Sequence, residues 1–350
     1  MTISLFSGFN RKTTEKTFKP MVTLTDIRDA RTLLSKVAVR TPLVECKLPG
    51  EKRILIKPEN LQPIGSFKLR GAYNKISSLN PDERRRGAVA HSSGNHAQGV
   101  AFAARALGVK ATIVMPSTAP KVKLAATQAL GAEIVMVGPT SEERIRKAEE
   151  LEKERGLVPV PPYNDEKIIA GQGTIGLEIL DDLEEPFTIL VPVGGGGLIS
   201  GVATALKESR PGVKVIGVEP EFAADAQASL RTGKIQSVSG ESSARTLADG
   251  LRSQSIGPIN FEHIRKYVDD IITVKEEEIR QAIRRLALSA RILAEPSGAV
   301  TTAAAMFHAR EIPGSGTTVA VVSGGNIDVR LFCEILEAAN EVDHDRLSQT

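Results

Sequence analysis

The sequence predicts an α/β protein built on parallel sheets, with a smaller α/β domain, residues 86–164, inserted into a larger domain formed by residues 1–85 and 165–350. Length is the first observation, because 350 residues exceed what one hydrophobic core usually serves. Strand-like and helix-like segments also alternate from about residue 53 onward. Finally, three helix–glycine–strand units follow one another, a succession typical of a parallel sheet with covering helices.

In the smaller domain, every predicted helix ends at a glycine, which can adopt the left-handed conformation that closes a helix. A first strand over 87–91 leads into a loop at 92–95. Three helices follow, each with its closing glycine: 96–107 with Gly108, 121–130 with Gly131 and 142–155 with Gly156. Strands are predicted between them at 110–115 and 133–137.

The larger domain is predicted from apolar, β-branched strands and the helices that accompany them. Its strands are 53–57, 187–193, 213–218 and 317–323, and its helices include 198–208 and 277–292. Thr273 and Glu276 form the pattern of a capping box, which is expected to open the second of these helices.

Composition excludes several classes of function. The net charge is +3, and the 45 basic and 42 acidic residues are interspersed, so no nucleic-acid surface is expected. No apolar stretch approaches the roughly 20 residues of a membrane helix, so no membrane span is expected. The two cysteines, Cys46 and Cys333, are far apart, which excludes a disulfide framework and a four-ligand zinc site. A reducing, cytoplasmic compartment is the expected location.

Two glycine-rich segments compete as ligand loops. Residues 171–176 match the dinucleotide pattern G-x-G-x-x-G, but no full strand precedes them and no acidic residue for a ribose follows about 20 residues later. A nicotinamide site is therefore rejected in favour of a helix start with close packing. Residues 194–197 are four glycines between a strand and a helix, where inward N–H groups and the helix N-terminus would hold a phosphate. A flexible turn is the alternative, but ordering four glycines at a strand end costs so much conformational entropy that a functional role is the preferred interpretation.

Four segments together resemble the serine/threonine dehydratase and serine racemase family of fold-type II pyridoxal-phosphate enzymes, which are similar in fold to the tryptophan synthase β chain. They are 63–72 (Pro-Ile-Gly-Ser-Phe-Lys-Leu-Arg-Gly-Ala), 92–96 (Ser-Ser-Gly-Asn-His), 194–197 and 323–326 (Ser-Gly-Gly-Asn). The resemblance extends from about residue 23 to about residue 336, with the motifs in the family's order. It implies pyridoxal 5'-phosphate as cofactor, a small β-hydroxy amino acid as substrate and a homodimer or homotetramer.

The resemblance also assigns roles to individual residues. Lys68 would hold the cofactor as an imine and act as a base, and Phe67 would pack on the pyridine ring. Asn95 would bind the phenolic oxygen, and Ser323 would face the ring nitrogen, where a neutral hydroxyl suits elimination or racemisation. The phosphate would be held by Gly194, Gly195, Gly196 and Gly197, and the substrate by Ser92, Ser93, Asn95 and His96.

Two assignments stay open. Ser93 would either move a proton on the cofactor face opposite Lys68, as in racemases, or only bind the substrate carboxylate. Tyr163 stands where racemases of this family tend to have asparagine, which favours a dehydratase. Glu219, the Ala223 carbonyl and Asp225 match the family's divalent-cation site for Mg²⁺, Ca²⁺ or Mn²⁺, and the alternative is two surface acids.

The expected activity is deaminating dehydration of L-threonine, L-serine or a related β-hydroxy amino acid to a 2-oxo acid and ammonia. Serine racemase, alone or combined with dehydration, and threo-3-hydroxyaspartate dehydratase are the enzymatic alternatives. A protein that binds the cofactor as a sensor without turnover is the alternative from another class.

Overall fold

The computed structural model describes residues 21–47, 53–92, 94–119, 121–314 and 316–347 of the chain. Within these ranges, ten strands lie in two sheets. The strands are β1 (Val44–Glu45), β2 (Ile54–Pro58), β3 (Ala88–His91), β4 (Ala111–Pro116), β5 (Glu133–Val137), β6 (Val158–Pro159), β7 (Phe187–Pro192), β8 (Lys214–Pro220), β9 (Asp270–Val274) and β10 (Thr317–Val322).

Helices surround both sheets. The α-helices are α1 (Leu24–Leu34), α2 (Lys68–Ser77), α3 (Pro81–Arg86), α4 (Asn95–Ala106), α5 (Lys121–Ala129), α6 (Ser141–Arg155), α7 (Glu166–Asp182), α8 (Gly197–Ser209), α9 (Asp225–Thr232), α10 (Gly240–Ala244), α11 (Pro258–Tyr267), α12 (Glu276–Arg285), α13 (Pro296–Phe307) and α14 (Val329–Leu347). Short 3₁₀ turns cover Glu59–Leu61, Glu221–Ala223 and Asp249–Leu251, and a π turn covers Leu286–Ala290. Among the described helices, none combines the length and the apolar character that a bilayer crossing requires.

The prediction of an α/β protein with parallel sheets is confirmed. The larger sheet has the strand order β1-β2-β10-β7-β8-β9 and is parallel except for β1. The smaller sheet, β5-β4-β3-β6, is parallel throughout. All strands of the smaller sheet fall between residues 88 and 159, and the domain limits at 86 and 164 remain a prediction.

Each sheet is buried on both faces, as parallel sheets usually are. On one face of the larger sheet, α12 and α13 contribute Ile279, Ile283 and Val300 to a core with Ile56. On the other face, α7, α8 and α11 pack their apolar side chains against the strands. The carboxyl ends of the strands thereby stay free of covering helices and can carry ligand loops.

The segment 171–176 lies inside α7, so the prediction of a helix start there is wrong, whereas close packing is correct. A Cβ atom added at Gly171 would lie 2.7 Å from the Arg70 carbonyl oxygen, and one at Gly173 would lie 2.8 Å from that of Gly201. These glycines allow α7 to approach the backbones of α2 and α8, and the local pattern did not indicate which helices would be the partners.

The predicted capping box at Thr273 is also wrong. Thr273 pairs with Glu219 in the β8–β9 ladder, so it cannot take the cap position. The helix begins at Glu276 instead, and the amide of Lys275 donates to the Glu278 carboxylate at 2.8 Å. Its α-helical part ends at Arg285, before the π turn.

Candidate active site

Lys68 is the first residue of α2 and lies where several loops converge. The amide of Phe67 donates to the Ser323 carbonyl at 3.1 Å, which ties the start of α2 to the end of β10. A Cβ atom added at Gly99 would lie 3.0 Å from the Lys68 carbonyl oxygen, so α4 packs directly on the same turn. The backbone of Lys68 is therefore fixed from two sides, by the end of β10 in the larger sheet and by α4, which packs on the smaller sheet.

The Lys68 side chain is partly buried, and no carboxylate of the described residues lies within ion-pair distance of it. Its Nζ donates to the Pro162 carbonyl at 2.7 Å and lies 5.1 Å from the centroid of the Phe67 ring. Burial lowers the pKa of Lys68 to about 8, because the ammonium loses hydration and gains no counter-ion. An amine with such a pKa is partly neutral near physiological pH and can attack an aldehyde.

The four-glycine loop follows β7 and ends in the first turn of α8. Gly196 has φ +90°, a left-handed conformation that favours glycine. The Gly195 carbonyl accepts from the Gly257 amide at 3.1 Å and from the Asn260 side chain. These two hydrogen bonds fix the shape of the loop and direct this carbonyl towards residues 257–260. The free amides at the start of α8 are then available for an anion.

Tyr163 connects Lys68 with this loop. It follows Pro162, whose carbonyl accepts from Lys68, and its ring packs on the glycines. A Cβ atom at Gly195 would lie 2.3 Å from the Tyr163 ring, and one at Gly197 would lie 3.0 Å from its Cα. The residue pair 162–163 thus lies between the Lys68 amine and the four-glycine loop.

Ser323 and Asn95 lie at the same convergence. The Ser323 hydroxyl is buried, 3.4 Å from the Ser297 carbonyl. The Asn95 amide donates to Glu295, and its oxygen accepts from Asn326 at 2.8 Å, which leaves one N–H of Asn95 for a ligand. Burial, followed by the charge of Asp249, raises the pKa of Glu295 to about 7.

The segment 92–96 lies at the amino end of α4. The Gly94 amide donates to the Ser92 hydroxyl at 3.3 Å, and α4 begins at Asn95. His96 is buried, its Nε2 lies 2.8 Å from the Val160 carbonyl, and burial and the Lys68 charge lower its pKa to about 3. Its ring is therefore neutral and is occupied at Nε2, whereas its buried Nδ1 has no hydrogen-bond partner in the described part of the chain. Ser93 lies outside the described residues.

The two acids of the predicted cation site are buried, at 0% exposure for Glu219 and 1% for Asp225, so the alternative of two surface acids is wrong. The Glu219 oxygens accept from the amides of Ala226 at 3.0 Å and Gln227 at 2.8 Å. Neither Asp225 oxygen has a hydrogen-bond partner in the described part of the chain.

Electrostatics at these acids favours a cation. Burial and the charge of Asp225 raise the pKa of Glu219 well above its ordinary value, and burial raises the pKa of Asp225 to about 7. Ala223 is buried in the 3₁₀ turn before α9. No group of three His, Cys, Asp or Glu side chains that could hold a metal occurs in the described ranges, so carbonyl oxygens would have to complete such a site.

Several residues at the site were not predicted as functional. Asn326 belongs to the Ser-Gly-Gly-Asn segment and so carried a local signal, whereas the position of Glu295 before the proline that opens α13 indicates only a helix start. No sequence pattern indicates that the Pro162 carbonyl is the acceptor for Lys68, since a carbonyl is present at every residue.

Comparisons with known proteins agree with this geometry. The chain matches the profile of the family described as pyridoxal-phosphate dependent enzyme over residues 34–324. It is 48% identical to an L-threonine ammonia-lyase of Thermotoga maritima over 319 residues, which cover 90% of this chain and 78% of that protein. It is 37% identical to an L-threo-3-hydroxyaspartate ammonia-lyase of Saccharomyces cerevisiae, with 90% of this chain and 97% of that protein covered. Among solved structures, a serine racemase of maize matches with a TM-score of 0.84 at 34% identity, covering 93% of this chain and 100% of that chain.

Proposed function

Because the chain belongs to the family of pyridoxal-phosphate dependent enzymes, we propose that it is an ammonia-lyase that converts L-threonine, L-serine or a related β-hydroxy amino acid to a 2-oxo acid and ammonia. The observation that carries the proposal is the partly buried amine of Lys68, whose pKa is lowered to about 8 and which lies one residue pair away from a glycine loop at a helix N-terminus. The names of the relatives, two of them ammonia-lyases, support elimination as the reaction.

Pyridoxal phosphate, when bound, supplies the electron sink that makes the α-hydrogen of an amino acid acidic. Lys68 would carry the aldehyde through Nζ and, once displaced by the substrate amine, would accept the α-proton at the same atom. The amides of residues 194–197 would hold the phosphate. Asn95 would donate its remaining N–H to the phenolic oxygen, and Ser323 would face the ring nitrogen with a neutral hydroxyl.

The substrate would lie at the amino end of α4. Its carboxylate would bind the free amides there together with Ser92 and Ser93, since a helix N-terminus attracts anions. Phe67 and the Pro162–Tyr163 segment would shield the reacting atoms from water, which strengthens the electrostatic interactions at the site.

Replacing Lys68 tests the proposal. Lys68→Ala is expected to abolish both ammonia release and the visible absorbance of the bound cofactor, because both the link to the aldehyde and the base are assigned to Lys68 Nζ. Lys214→Ala, which removes an exposed lysine, is the control and should keep both signals. An ammonia screen over L-threonine, L-serine and L-threo-3-hydroxyaspartate would identify the substrate. Coloured wild-type protein that releases ammonia from none of them would indicate a sensor without turnover.

Racemisation of serine is a second candidate, favoured by the presence of Ser93 in the segment 92–96. Ser93 would donate a proton on the cofactor face opposite Lys68. Chiral chromatography after incubation with L-serine would detect D-serine, and Ser93→Ala should remove D-serine formation while ammonia release continues. Equal loss of both activities would assign Ser93 to carboxylate binding instead.

We further propose that Glu219, the Ala223 carbonyl and Asp225 hold Mg²⁺, Ca²⁺ or Mn²⁺. The two buried carboxylates, one of them with both oxygens free of partners among the described residues, fit a hard cation, which prefers oxygen ligands.

A homodimer or homotetramer in the cytoplasm also belongs to the proposal. It is supported by the exposed apolar side chains of Leu288 and Val329, at 59% and 74%, and by two free cysteines.

A further inference from the structure

We propose that Lys123 is a substrate-binding residue whose ammonium group exchanges its partner Asp249 for the α-carboxylate of the bound amino acid. The inference rests on the proposed function, because it concerns recognition of the same substrate. It adds to the amino end of α4 a full positive charge that the motif residues do not supply.

Lys123 connects the two sheets' helices and loops across the space between the amino end of α4 and the four-glycine loop, which we call the cleft. It lies on α5, which belongs to the smaller sheet's layer, and its Nζ forms an ion pair with Asp249. Asp249 begins a 3₁₀ turn that packs on the four-glycine loop. A Cβ atom added at Gly194 of that loop would lie 3.2 Å from the Leu251 Cα of the turn. The ion pair is therefore placed at the edge of the proposed cofactor site rather than on a remote surface.

The same ammonium lies beside the proposed carboxylate site. A Cβ atom added at Gly94 would lie 3.9 Å from Lys123 Nζ, and Gly94 is the residue directly before α4. The Lys123 side chain is only 15% exposed, whereas Asp249 is 42% exposed. The lysine thus occupies the inside of the cleft, and its present partner lies on the solvent side.

Charge balance at the cleft favours the exchange. The described side chains of the segment 92–96 include one titratable group, His96, and it is neutral because its pKa is about 3. The helix N-terminus supplies only about half a positive charge. The other charged groups that face Lys123 are Glu295, which is buried, and Arg252, which repels it. Lys123, whose Nζ would lie 3.9 Å from a Cβ atom at Gly94, can therefore supply a full counter-charge to a substrate carboxylate at the amino end of α4.

Two variants that break the same ion pair distinguish substrate binding from mere support of the cleft. Lys123→Gln should raise the KM for the β-hydroxy amino acid that the wild type turns over by about tenfold, with little change in kcat, because a charged hydrogen bond to the carboxylate is lost. Asp249→Asn should lower that KM, because Lys123 is released from its competitor. Lys207→Gln is the matched control, since Lys207 pairs with Asp269 and has the same 15% side-chain exposure.

The outcomes separate cleanly. If the pair only supports the cleft, both variants shift KM in the same direction, and the proposal is overturned. If Lys123→Gln loses its fold or its visible cofactor absorbance, Lys123→Arg decides: a KM within about twofold of the wild type supports the proposal, and a tenfold rise overturns it. Failure of the proposed function is distinct, because the wild type itself would then release no ammonia.

Discussion

At the residue scale, the chemistry depends on what surrounds a few atoms. Lys68 was identified by its flanking motif, but the cause of its reactivity is its burial against a carbonyl rather than a carboxylate. A sequence shows which residue carries the amine and does not show which backbone oxygen will face it. Glu295 was missed for the same reason, because its contact with Asn95 joins positions 200 residues apart.

The shape of the four-glycine loop, residues 194–197, leads to a prediction at Gly195. A methyl group there would lie 2.3 Å from the Tyr163 ring, closer than van der Waals contact permits, so the ring or the loop must move. Gly195→Ala should therefore weaken pyridoxal-phosphate binding by at least about tenfold, measured by titrating the cofactor-free protein and following absorbance. Gly212→Ala, where nothing lies within 4 Å, is the control. Unchanged affinity in Gly195→Ala would show that this glycine does not shape the site.

At the element scale, local signals predicted helix ends well. Gly108, Gly131 and Gly156 all have positive φ, at 65°, 86° and 65°, and they lie where the helices of the smaller domain end. A left-handed glycine is a local property, so the sequence suffices to locate it. The cap of α12 was misplaced because Thr273 is held by the neighbouring strand β8, and strand pairing is not local.

The junction of α12 and α13 is expected to depend on pH. His308, at the end of α13, lies between Glu311, with Nδ1 at 2.7 Å, and Glu278 of α12, with Nε2 at 3.0 Å. Burial lowers the pKa of His308, but the hydrogen bonds and charges of both glutamates outweigh it, so the pKa is raised. The stabilisation is therefore fully present below the ordinary histidine pKa of about 6.5 and is lost as pH rises through the raised value.

His308→Gln should accordingly lower the free energy of unfolding by about 1 kcal/mol at pH 6 and by much less at pH 9. Urea unfolding at both pH values would measure the difference. Arg280→Gln, which breaks an ion pair with Glu334 that contains no histidine, should have the same effect at both. An equal loss at pH 6 and pH 9 in His308→Gln would contradict the assignment.

At the scale of the whole molecule, the class of fold could be predicted, whereas the strand order could not. Alternating strands and helices indicate parallel sheets wherever they occur. The order β1-β2-β10-β7-β8-β9 places the last strand beside the second, and only packing over the full chain decides that arrangement. Residues 67, 195 and 323 come after β2, β7 and β10, so their convergence depends on this order, whereas residue 95 is contributed by the smaller sheet. The motifs therefore indicated the chemistry of these residues but not their proximity.

The proposed cation would stabilise this whole arrangement rather than one loop. Glu219 is the penultimate residue of β8, and Asp225 begins α9. The charge of Asp225 adds to burial in raising the pKa of Tyr163, the residue that packs on the four-glycine loop. Without a cation, two buried carboxylates repel each other, and both have raised pKa values. A ligand that binds only the folded state at 100 times its Kd adds about 2.7 kcal/mol to the free energy of unfolding.

Magnesium in excess over EDTA should therefore raise the Tm of the wild type by roughly 5 °C relative to EDTA alone. Asp225→Asn removes one negative charge with little change in volume, so it should abolish this response while the metal-free protein stays at least as stable as the wild type. Asp269→Asn is the control, because Asp269 pairs with Lys207 and Lys214 and should leave the magnesium response intact. If wild type and Asp225→Asn respond equally to magnesium, the cation binds elsewhere, and the two buried acids must be stabilised by protonation instead.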